Sequence, residues 1–495
     1  MPVSLPKQKT ALVFLAIMAL AVALRVLAFS LFDTIHHDEI LQYQERAFRI
    51  VFGEGIVPWE QRYGIRNSLI PQLMAAPMWL AAQVSPTPYV PLLTARIVFA
   101  AVCLGAVPAA YFIGSLASRT HAIVAMLVVA VWFEAVLFGV SALSEAIATA
   151  LALGGTAAIL HARNNARTAF LTGFLLALMA LARLQYAAYG AMLVILVART
   201  DLALWRRIIL GALPALALGA ISDLAAGAVP YAWIVKNISM NITEGRASSY
   251  GVSGPLEYVR FFLLRAMPAG IVVLALAVLA PRQYRPVLWS ALFLVVVHSF
   301  IAHKEYRFIH VAVMALIVLA AIGSVELAKR LRAGRTELSA MALATLCAGW
   351  VALSLFAYHR SGGEEAIRDG HRVAGYAVQA ANLPETCGIA VAEDERKDLA
   401  TVYMPRAMPL YLFPNPMNNG TKPFEPDALA AFNAVIVTGD AKLPESYRKV
   451  GCDTGIEADT NKTKRVCLFV RKGGCTVNGV AKAYAYQQYY LDRNW

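Results

Sequence analysis

Hydrophobic residues recur in long uninterrupted runs over the first 360 residues, without the alternation that is typical of a half-buried strand. A helix needs about 20 apolar residues to cross the hydrocarbon core of a bilayer. Eleven runs approach that length, and they lie at 11–31, 91–116, 121–139, 142–160, 168–183, 185–198, 207–226, 263–280, 286–301, 308–328 and 338–357. The pattern predicts an α-helical polytopic membrane protein with about 11 transmembrane helices.

Two of these predictions carry an alternative. The first run is longer than the core of a signal peptide and lacks a small-residue cleavage site, so we expect it to remain as a span. Runs 168–183 and 185–198 lie so close together that they form either two spans or one broken or re-entrant segment.

Basic residues cluster in every second loop between the runs, as the positive-inside rule requires of cytoplasmic loops. The clusters consist of Lys7, Lys9, Arg119, Arg163, Arg167, Arg199, Arg206, Arg207, Arg282, Arg285, Lys329, Arg330, Arg332 and Arg335. The opposite, outer face then carries the first loop (33–90), a turn at 140–145, a loop at 226–262, a turn at 302–307 and the tail.

Composition agrees with a membrane protein. The chain has 495 residues, of which 59% are hydrophobic and 15% are charged, whereas globular domains are about 45–50% apolar and about 25% charged. This argues against a soluble multidomain enzyme and excludes a disordered chain. The net charge of +13 comes mostly from the cytoplasmic clusters, so it indicates orientation and not a nucleic-acid partner.

The tail differs in composition from the rest. Residues 359–495 contain short β-like runs separated by Pro, Asn and Gly, and no run of spanning length. We therefore predict a membrane module at 1–358 and a small soluble α/β domain at 359–495 on the outer side.

Four of the six cysteines lie in this tail, and an even number in an oxidising compartment predicts two disulfides. They are Cys387, Cys452, Cys467 and Cys475. Cys103 and Cys347 lie in predicted spans, where we expect inert core residues.

Polar residues on the predicted outer face are candidates for chemistry. Asp38 and Glu39 stand just beyond the first span, where paired acids can supply a general base or a metal site. The alternative is an ordinary acidic first turn of a helix, favoured by the helix dipole. Glu145, Arg183 and Asp223 lie in apolar sequence, where ionisable groups face a cavity or form structural ion pairs.

The turn from His303 to Phe308 is the densest charge cluster between two predicted spans, with His303, Lys304, Glu305 and Arg307. Such a cluster suits an anion such as phosphate, because arginine offers a bidentate fork. The alternative is a solvated connecting loop.

Three motifs on this face resemble those of one enzyme family. His37-Asp38-Glu39 with Gln42 and Glu45 resembles the H-P-D-E-x-x-Q signature, with His36-His37 where the family has His-Pro. Trp59-Glu60 followed by Arg66-Asn67-Ser68 and Pro71 resembles its W-E…R-S…Y-P continuation, and His303–Phe308 is similar to its H-K-E-x-R-F box. Over roughly residues 11–360, the chain resembles glycosyltransferase family 22 of the GT-C superfamily.

The resemblance implies a GT-C fold and an inverting transfer of a sugar, usually mannose, from a polyprenyl-phosphate monosaccharide to a lipid-linked or glycan acceptor. Asp38 would deprotonate the acceptor hydroxyl, and Glu39 would position Asp38 or the acceptor. The branch of the superfamily that uses monosaccharide donors resembles a metal-free design, so we expect no cofactor and no metal ion. The alternative is a divalent cation at Asp38 and Glu39, because outer-loop acids hold such an ion in some oligosaccharide-transferring relatives.

The remaining motif residues divide into two expected groups. Cations that would neutralise the donor phosphate are His303, Lys304, Arg307 and Arg183. Residues expected to bind substrate are His37, Gln42, Trp59, Glu60, Arg66, Glu145, Asp223 and Glu305.

Several alternatives stay open. Another GT-C enzyme that moves arabinose or glucose is one, and a lipid or sugar transporter is another, although transporters often show internal repeats and midplane charges. A structural membrane subunit is a third. We expect a bacterial inner membrane with the active face in the periplasm, or the lumenal face of the endoplasmic reticulum if the chain is eukaryotic. Membrane lipids, the donor and the acceptor are the expected partners.

Overall fold

The fold was analysed in a computed structural model that describes residues 7–31, 36–85, 87, 89–163, 165–266, 268–332, 338–360, 373–392, 400–405, 407–413, 426–438, 443–456, 463–476, 485 and 487. Arg335 of the predicted basic clusters lies outside these residues.

The described part of residues 7–360 is almost entirely helical. Its α-helices are α1 (Lys7–Ala28), α2 (Glu45–Phe52), α3 (Trp59–Tyr63), α4 (Leu69–Ala82), α5 (Tyr89–Cys103), α6 (Ala106–Ser115), α7 (Arg119–Val131), α8 (Phe133–Phe138), α9 (Ser144–Leu160), α10 (Ala166–Ala182), α11 (Ala187–Ala198), α12 (Leu202–Ala225), α13 (Ala232–Ile238), α14 (Glu257–Ala266), α15 (Ala269–Val278), α16 (Arg285–Ser299), α17 (His310–Leu331) and α18 (Ala340–Arg360). π-helical turns occupy Glu39–Gln44 and Ser239–Thr243, and 3₁₀ turns include Leu184–Tyr186 and Tyr306–Ile309.

Five helical stretches among the described residues are long and apolar enough to cross a membrane, and the bent pair Ala269–Val278 and Arg282–Ser299 would make a sixth. The five are Thr10–Ala28, Tyr89–Ser115, Leu202–Ala225, Tyr306–Leu331 and Ala340–Arg360. The other predicted runs form helices too short for this test, because breaks such as the extended Trp132 interrupt them. The structure therefore supports a helical membrane protein, and the count of about 11 spans is not confirmed.

Helix α17 lies at the centre of the helical core. Its apolar stretch is wholly buried, and it packs against α7, α9, α15 and α16. Its contact with α15 needs a glycine, since a Cβ atom on Gly323 would lie 1.8 Å from the Leu276 carbonyl oxygen. The turn that precedes α17 is the predicted charge cluster, so the core helix fixes the position of that turn.

Arg25 of α1 bridges the break between α7 and α8. Its guanidinium donates hydrogen bonds to the carbonyl oxygens of Ala21, Ala130 and Ala135 at 3.0–3.2 Å. Ala130 lies at the end of α7, where carbonyl groups lack partners within the helix, so this buried cation supplies a donor at the break.

The tail contains a small mixed sheet with strand order β2-β1-β3-β5-β4. The strands are β1 (Ile389–Ala392), β2 (Leu410–Phe413), β3 (Ala434–Thr438), β4 (Tyr447–Ile456) and β5 (Thr463–Arg471). β1 pairs in parallel with β2 and β3, whereas β5 is antiparallel to β3 and β4. Short helices at 373–381 and Pro426–Leu429 accompany it.

The four tail cysteines form two disulfides in the structure, Cys387–Cys475 and Cys452–Cys467. Cys452 and Cys467 stand directly opposite each other on β4 and β5, so the strand register brings this pair together. Cys103 is buried and Cys347 is partly buried, and both are free thiols.

Contacts divide the described residues into two compact units. Unit 1 comprises Met1–Phe29, Ile65–Leu69 and Phe99–Ser361, and unit 2 comprises Ser30–Gly64, Ile70–Val98 and Gly362–Trp495. The first outer loop thus contributes residues to both units. The predicted domain boundary at residue 358 stays a prediction.

Candidate active site

Glu145 is the buried anion at the centre of the unit 1 site. It lies in the first turn of α9, where the helix dipole favours an acid. Its side chain is fully buried, and Oε1 lies 3.1 Å from both Arg183 Nη2 and Arg307 Nη1. Ser144 Oγ donates to Oε2 at 3.1 Å. One carboxylate therefore holds two guanidinium groups together.

Local breaks in the helices position both arginines. Arg183 is the extended residue between α10 and the Leu184–Tyr186 turn, and Arg307 lies in the turn before α17. The guanidinium carbons of Arg183 and Arg307 lie 5.2 and 5.3 Å from the centre of the Phe308 ring. The Tyr186 hydroxyl donates to the Arg307 carbonyl oxygen at 2.8 Å and so fixes the turn.

A second acid and His303 extend this arrangement. Arg307 Nε donates to Glu305 Oε2 at 2.6 Å, and His303 Nε2 lies 2.9 Å from Glu305 Oε1. We call His303, Glu305, Arg307, Glu145 and Arg183 the charge chain, because cations and anions alternate along it. With His303 protonated it holds three cations and two anions, so one positive charge is in excess.

His303 is placed to be doubly protonated. Its second ring nitrogen, Nδ1, lies 3.1 Å from the Gly251 carbonyl oxygen. Both ring nitrogens therefore face acceptors, and both can donate only in the imidazolium form. The hydrogen bond to Glu305 raises the pKa of His303 above its usual value, and burial opposes this rise.

Lys304 holds the neighbouring loop in place. Its ammonium donates to the carbonyl oxygens of Ser253, at 3.0 Å, and of Ile301. The Ser253 amide also donates to the Ala302 carbonyl oxygen at 3.0 Å. The predicted phosphate-binding role of Lys304 stays a prediction, since two of its three donors serve this loop.

Two other predicted site residues lie elsewhere in unit 1. Asp223 is buried and accepts a hydrogen bond from the Tyr231 amide at 2.9 Å, which fixes the turn after α12. Arg66 is half-buried on the segment Ile65–Leu69. Its neighbour Asn67 donates to the carbonyl of Leu181, so this segment is attached close to Arg183.

Asp38 lies in unit 2 between two histidines. Its Oδ1 is 3.6 Å from His36 Nδ1 and 3.7 Å from His37 Nε2, and Asp38 itself is buried. Glu39 is fully buried at the start of the π-helical turn. Such turns are frequent at functional sites.

The next predicted residues of this loop pair with each other. Gln42 Nε2 donates to Glu60 Oε1 at 2.8 Å, and Trp59 is buried beside Glu60 at the start of α3. The first and second motifs are thus joined by a hydrogen bond within unit 2.

Glu45 has a different setting, although the resemblance includes it in the first motif. Its two carboxylate oxygens accept hydrogen bonds from the amides of Ile56, at 2.9 Å, and Val402, at 3.0 Å. Burial raises the pKa of Glu45 to about 7, and these amide donors oppose the rise. Glu45 therefore joins the first loop to the tail within unit 2.

Comparison with known protein families shows to which family this chain belongs. The model of the Alg9-like mannosyltransferase family matches residues 16–374. This chain belongs to that family. It is therefore a membrane glycosyltransferase, and the resemblance that the three motifs indicated is confirmed.

Solved structures support the fold of this family member. ArnT from Cupriavidus metallidurans bound to undecaprenyl phosphate has a TM-score of 0.57 and 11% identity over 96% of this chain and 100% of that one. The Archaeoglobus fulgidus oligosaccharyltransferase in complex with Zn and sulfate has a TM-score of 0.51 and 12% identity, over 86% of this chain and 67% of that one. At such identities the likeness concerns the fold alone.

One curated relative matches over a short segment. GPI mannosyltransferase 3 of Trypanosoma brucei brucei is 49% identical over 43 residues, which are 9% of this chain and 8% of that protein. The match thus spans a small part of the relative's length.

Sequence patterns missed two residues that shape the site of this family member. Phe308 was only part of a motif, yet its ring lies close to both arginines. Tyr186 follows Arg183 by three residues. Its closeness in sequence to an arginine in an apolar segment was the one signal that could have marked it as a site residue. Both residues keep the guanidinium groups in a fixed, partly apolar setting, where electrostatic interactions are stronger than in water.

Proposed function

We propose that this enzyme transfers mannose from a polyprenyl-phosphate donor to a lipid-linked or glycan acceptor, with inversion at the anomeric carbon. The observation that carries the proposal is a pair of buried guanidinium groups, those of Arg183 and Arg307, which both contact Glu145. Arg307 belongs to the H-K-E-x-R-F motif. ArnT, which shares the fold, binds undecaprenyl phosphate, and this supports a lipid phosphate as the leaving group.

The charge chain supplies what a departing phosphate needs. Its excess positive charge attracts a phosphate, and Glu145 reduces the repulsion between Arg183 and Arg307. Preorganised cations stabilise charge that develops in the transition state. The bond between the anomeric carbon and the phosphate oxygen can then break without a strong general acid.

Asp38 is the proposed general base. Its carboxylate accepts the proton of the acceptor hydroxyl while the acceptor oxygen attacks the anomeric carbon, on the face opposite the phosphate. The electron pair of the broken bond leaves with the phosphate. Glu39 would position Asp38 or the acceptor, while Gln42, Glu60 and Arg66 would contact the sugars.

The experiment that tests the function uses the purified enzyme in liposomes with polyprenyl-phosphate mannose and lipid-linked glycans from the native host. We expect one hexose to be added to the acceptor, detected by mass spectrometry. Transfer from arabinose or glucose donors alone would favour a different sugar, and donor movement across the bilayer without transfer would favour a transporter.

We further propose a bacterial inner membrane with the active face in the periplasm.

Replacing Arg307 with Ala should weaken binding of the donor more than binding of the acceptor. A hydrogen bond to a charged group contributes about 1.5–3 kcal/mol, so we expect the KM for the donor to rise about tenfold or more. The KM for the acceptor should stay close to that of the wild type. Arg246→Ala is the matched control, because Arg246 pairs with the exposed Glu244. Equal effects on both substrates would contradict the phosphate role of Arg307.

Transfer should also decrease as the pH rises through the pKa of His303. Because that pKa is raised, the imidazolium is present below the ordinary value of about 6.5 and is lost only at higher pH. Loss of its proton removes the excess positive charge of the charge chain. We expect kcat/KM for the donor to fall on the alkaline side, and His303→Gln should remove that limb. If kcat/KM of the variant still falls on the alkaline side, a group other than His303 causes the fall.

A further inference from the structure

Three consecutive side chains in the first outer loop converge on one point. His36, His37 and Asp38 each offer one ligand atom, and these atoms all lie within 4.8 Å of one another. The two imidazole rings stack, with their centres 4.0 Å apart and a tilt of 31°. Asp38 is buried, and both histidines are partly exposed, so a small ion can reach the group from solvent.

The two separations that involve Asp38 are close to those of a metal-ligand set. Zinc binds histidine nitrogen and carboxylate oxygen at about 2.0–2.2 Å, so two ligand atoms of a tetrahedral ion lie about 3.4 Å apart. Asp38 Oδ1 lies 3.6 Å from His36 Nδ1 and 3.7 Å from His37 Nε2. Rotation of the two stacked histidine rings, so that both lone pairs face the ion, would complete three sides of the coordination shell.

His36 is already in the form that binds a metal. Its Nδ1 accepts a hydrogen bond from the Asp38 amide at 3.1 Å, so this nitrogen carries a lone pair. A metal ion would use the same lone pair, and binding would replace this hydrogen bond.

We propose that His36, His37 and Asp38 bind one divalent transition-metal ion of the zinc type. Two imidazoles and one carboxylate favour zinc over calcium or magnesium, which take oxygen ligands. Three protein ligands leave a fourth position for water, as in zinc sites that remain open. This reverses the expectation of a metal-free loop, which came from the family resemblance.

The ion has a consequence for the reaction, and this part rests on the proposed function. Asp38 is the proposed base, and an ion bound to one of its oxygens would lower the basicity of the carboxylate. Zinc is therefore an inhibitor of transfer at this site, and chelation restores activity.

The test measures zinc binding directly on the full-length enzyme in detergent, with any affinity tag removed and metal stripped by a chelator. Calorimetric titration with Zn²⁺ should give one site per chain. His36→Ala and His37→Ala should each weaken binding at least about tenfold, the smallest loss expected when even an outer partner of a metal site is removed. His161→Ala is the matched control, because His161 is exposed and bonds the Phe112 carbonyl oxygen.

A second measurement does not depend on variants. Co²⁺ in place of Zn²⁺ should give the visible absorption of a four-coordinate ion with nitrogen and oxygen ligands, and Zn²⁺ should displace it. Size-exclusion profiles and thermal unfolding show whether each variant is folded. Absence of a stoichiometric site in the wild type, or undiminished binding in both folded histidine variants, overturns the proposal. Zinc binding is measured without turnover. The outcome of this test therefore does not depend on whether the proposed transfer reaction is correct.

Discussion

Asp38→Asn is expected to lower mannosyl transfer about 10²- to 10⁴-fold, because a positioned general base contributes a factor of this size and the amide cannot accept the proton. The two side chains have the same shape, so we expect unfolding and donor binding to change little. The measurement is single-turnover transfer by purified enzyme in liposomes, together with donor binding.

Asp201→Asn is the matched control for this variant. Asp201 caps the start of α12 by accepting a hydrogen bond from the Leu204 amide at 2.9 Å, and asparagine caps helices about as well. The control should therefore keep full activity. Near-normal transfer by a folded Asp38→Asn enzyme would exclude Asp38 as the base and would leave Glu39 as the next candidate.

Glu145→Gln is expected to destabilise the helical core by about 3–5 kcal/mol, since removing one partner of a buried ion pair leaves an uncompensated charge. Here two buried guanidinium groups lose the carboxylate that they share. Chemical denaturation of the purified enzyme in detergent measures the change in the free energy of unfolding.

The exposed pair of Glu244 and Arg246 provides the control for this prediction. Glu244 is 45% exposed, so Glu244→Gln should change the free energy of unfolding by no more than about 0.5–1 kcal/mol. Combining Glu145→Gln with Arg183→Met should recover part of the loss, because one unpaired charge is then removed. Equal stability of the Glu145 and Glu244 variants would show that Glu145 is not the anion that holds the arginines.

Hydropathy could predict the helical, membrane-bound character of the fold, but not the lengths of the helices. The break at Trp132 follows from its extended backbone, and Arg25, on another helix, donates to the Ala130 carbonyl at the end of α7. No local pattern around residues 119–138 contains that information, since the stabilising group lies on α1.

The candidate site shows the same division between local and distant information. The His303–Phe308 turn could be found because its residues are contiguous. Glu145 was expected to bind substrate, since an acid at membrane depth has no visible partner in its own segment. Its contact with Arg307 spans 162 positions along the chain. Similarly, four cysteines allow three pairings, and only the strand register selects Cys452 with Cys467.

The buried carboxylate of Glu45 has a consequence for biosynthesis. One amide donor, Ile56, lies 11 residues further along the chain, whereas another, Val402, lies 357 residues further along. Until residues 401 and 402 have been made, the carboxylate lacks the donors that they provide. The loop that carries Asp38 therefore cannot reach its final set of contacts before residue 402 has been made.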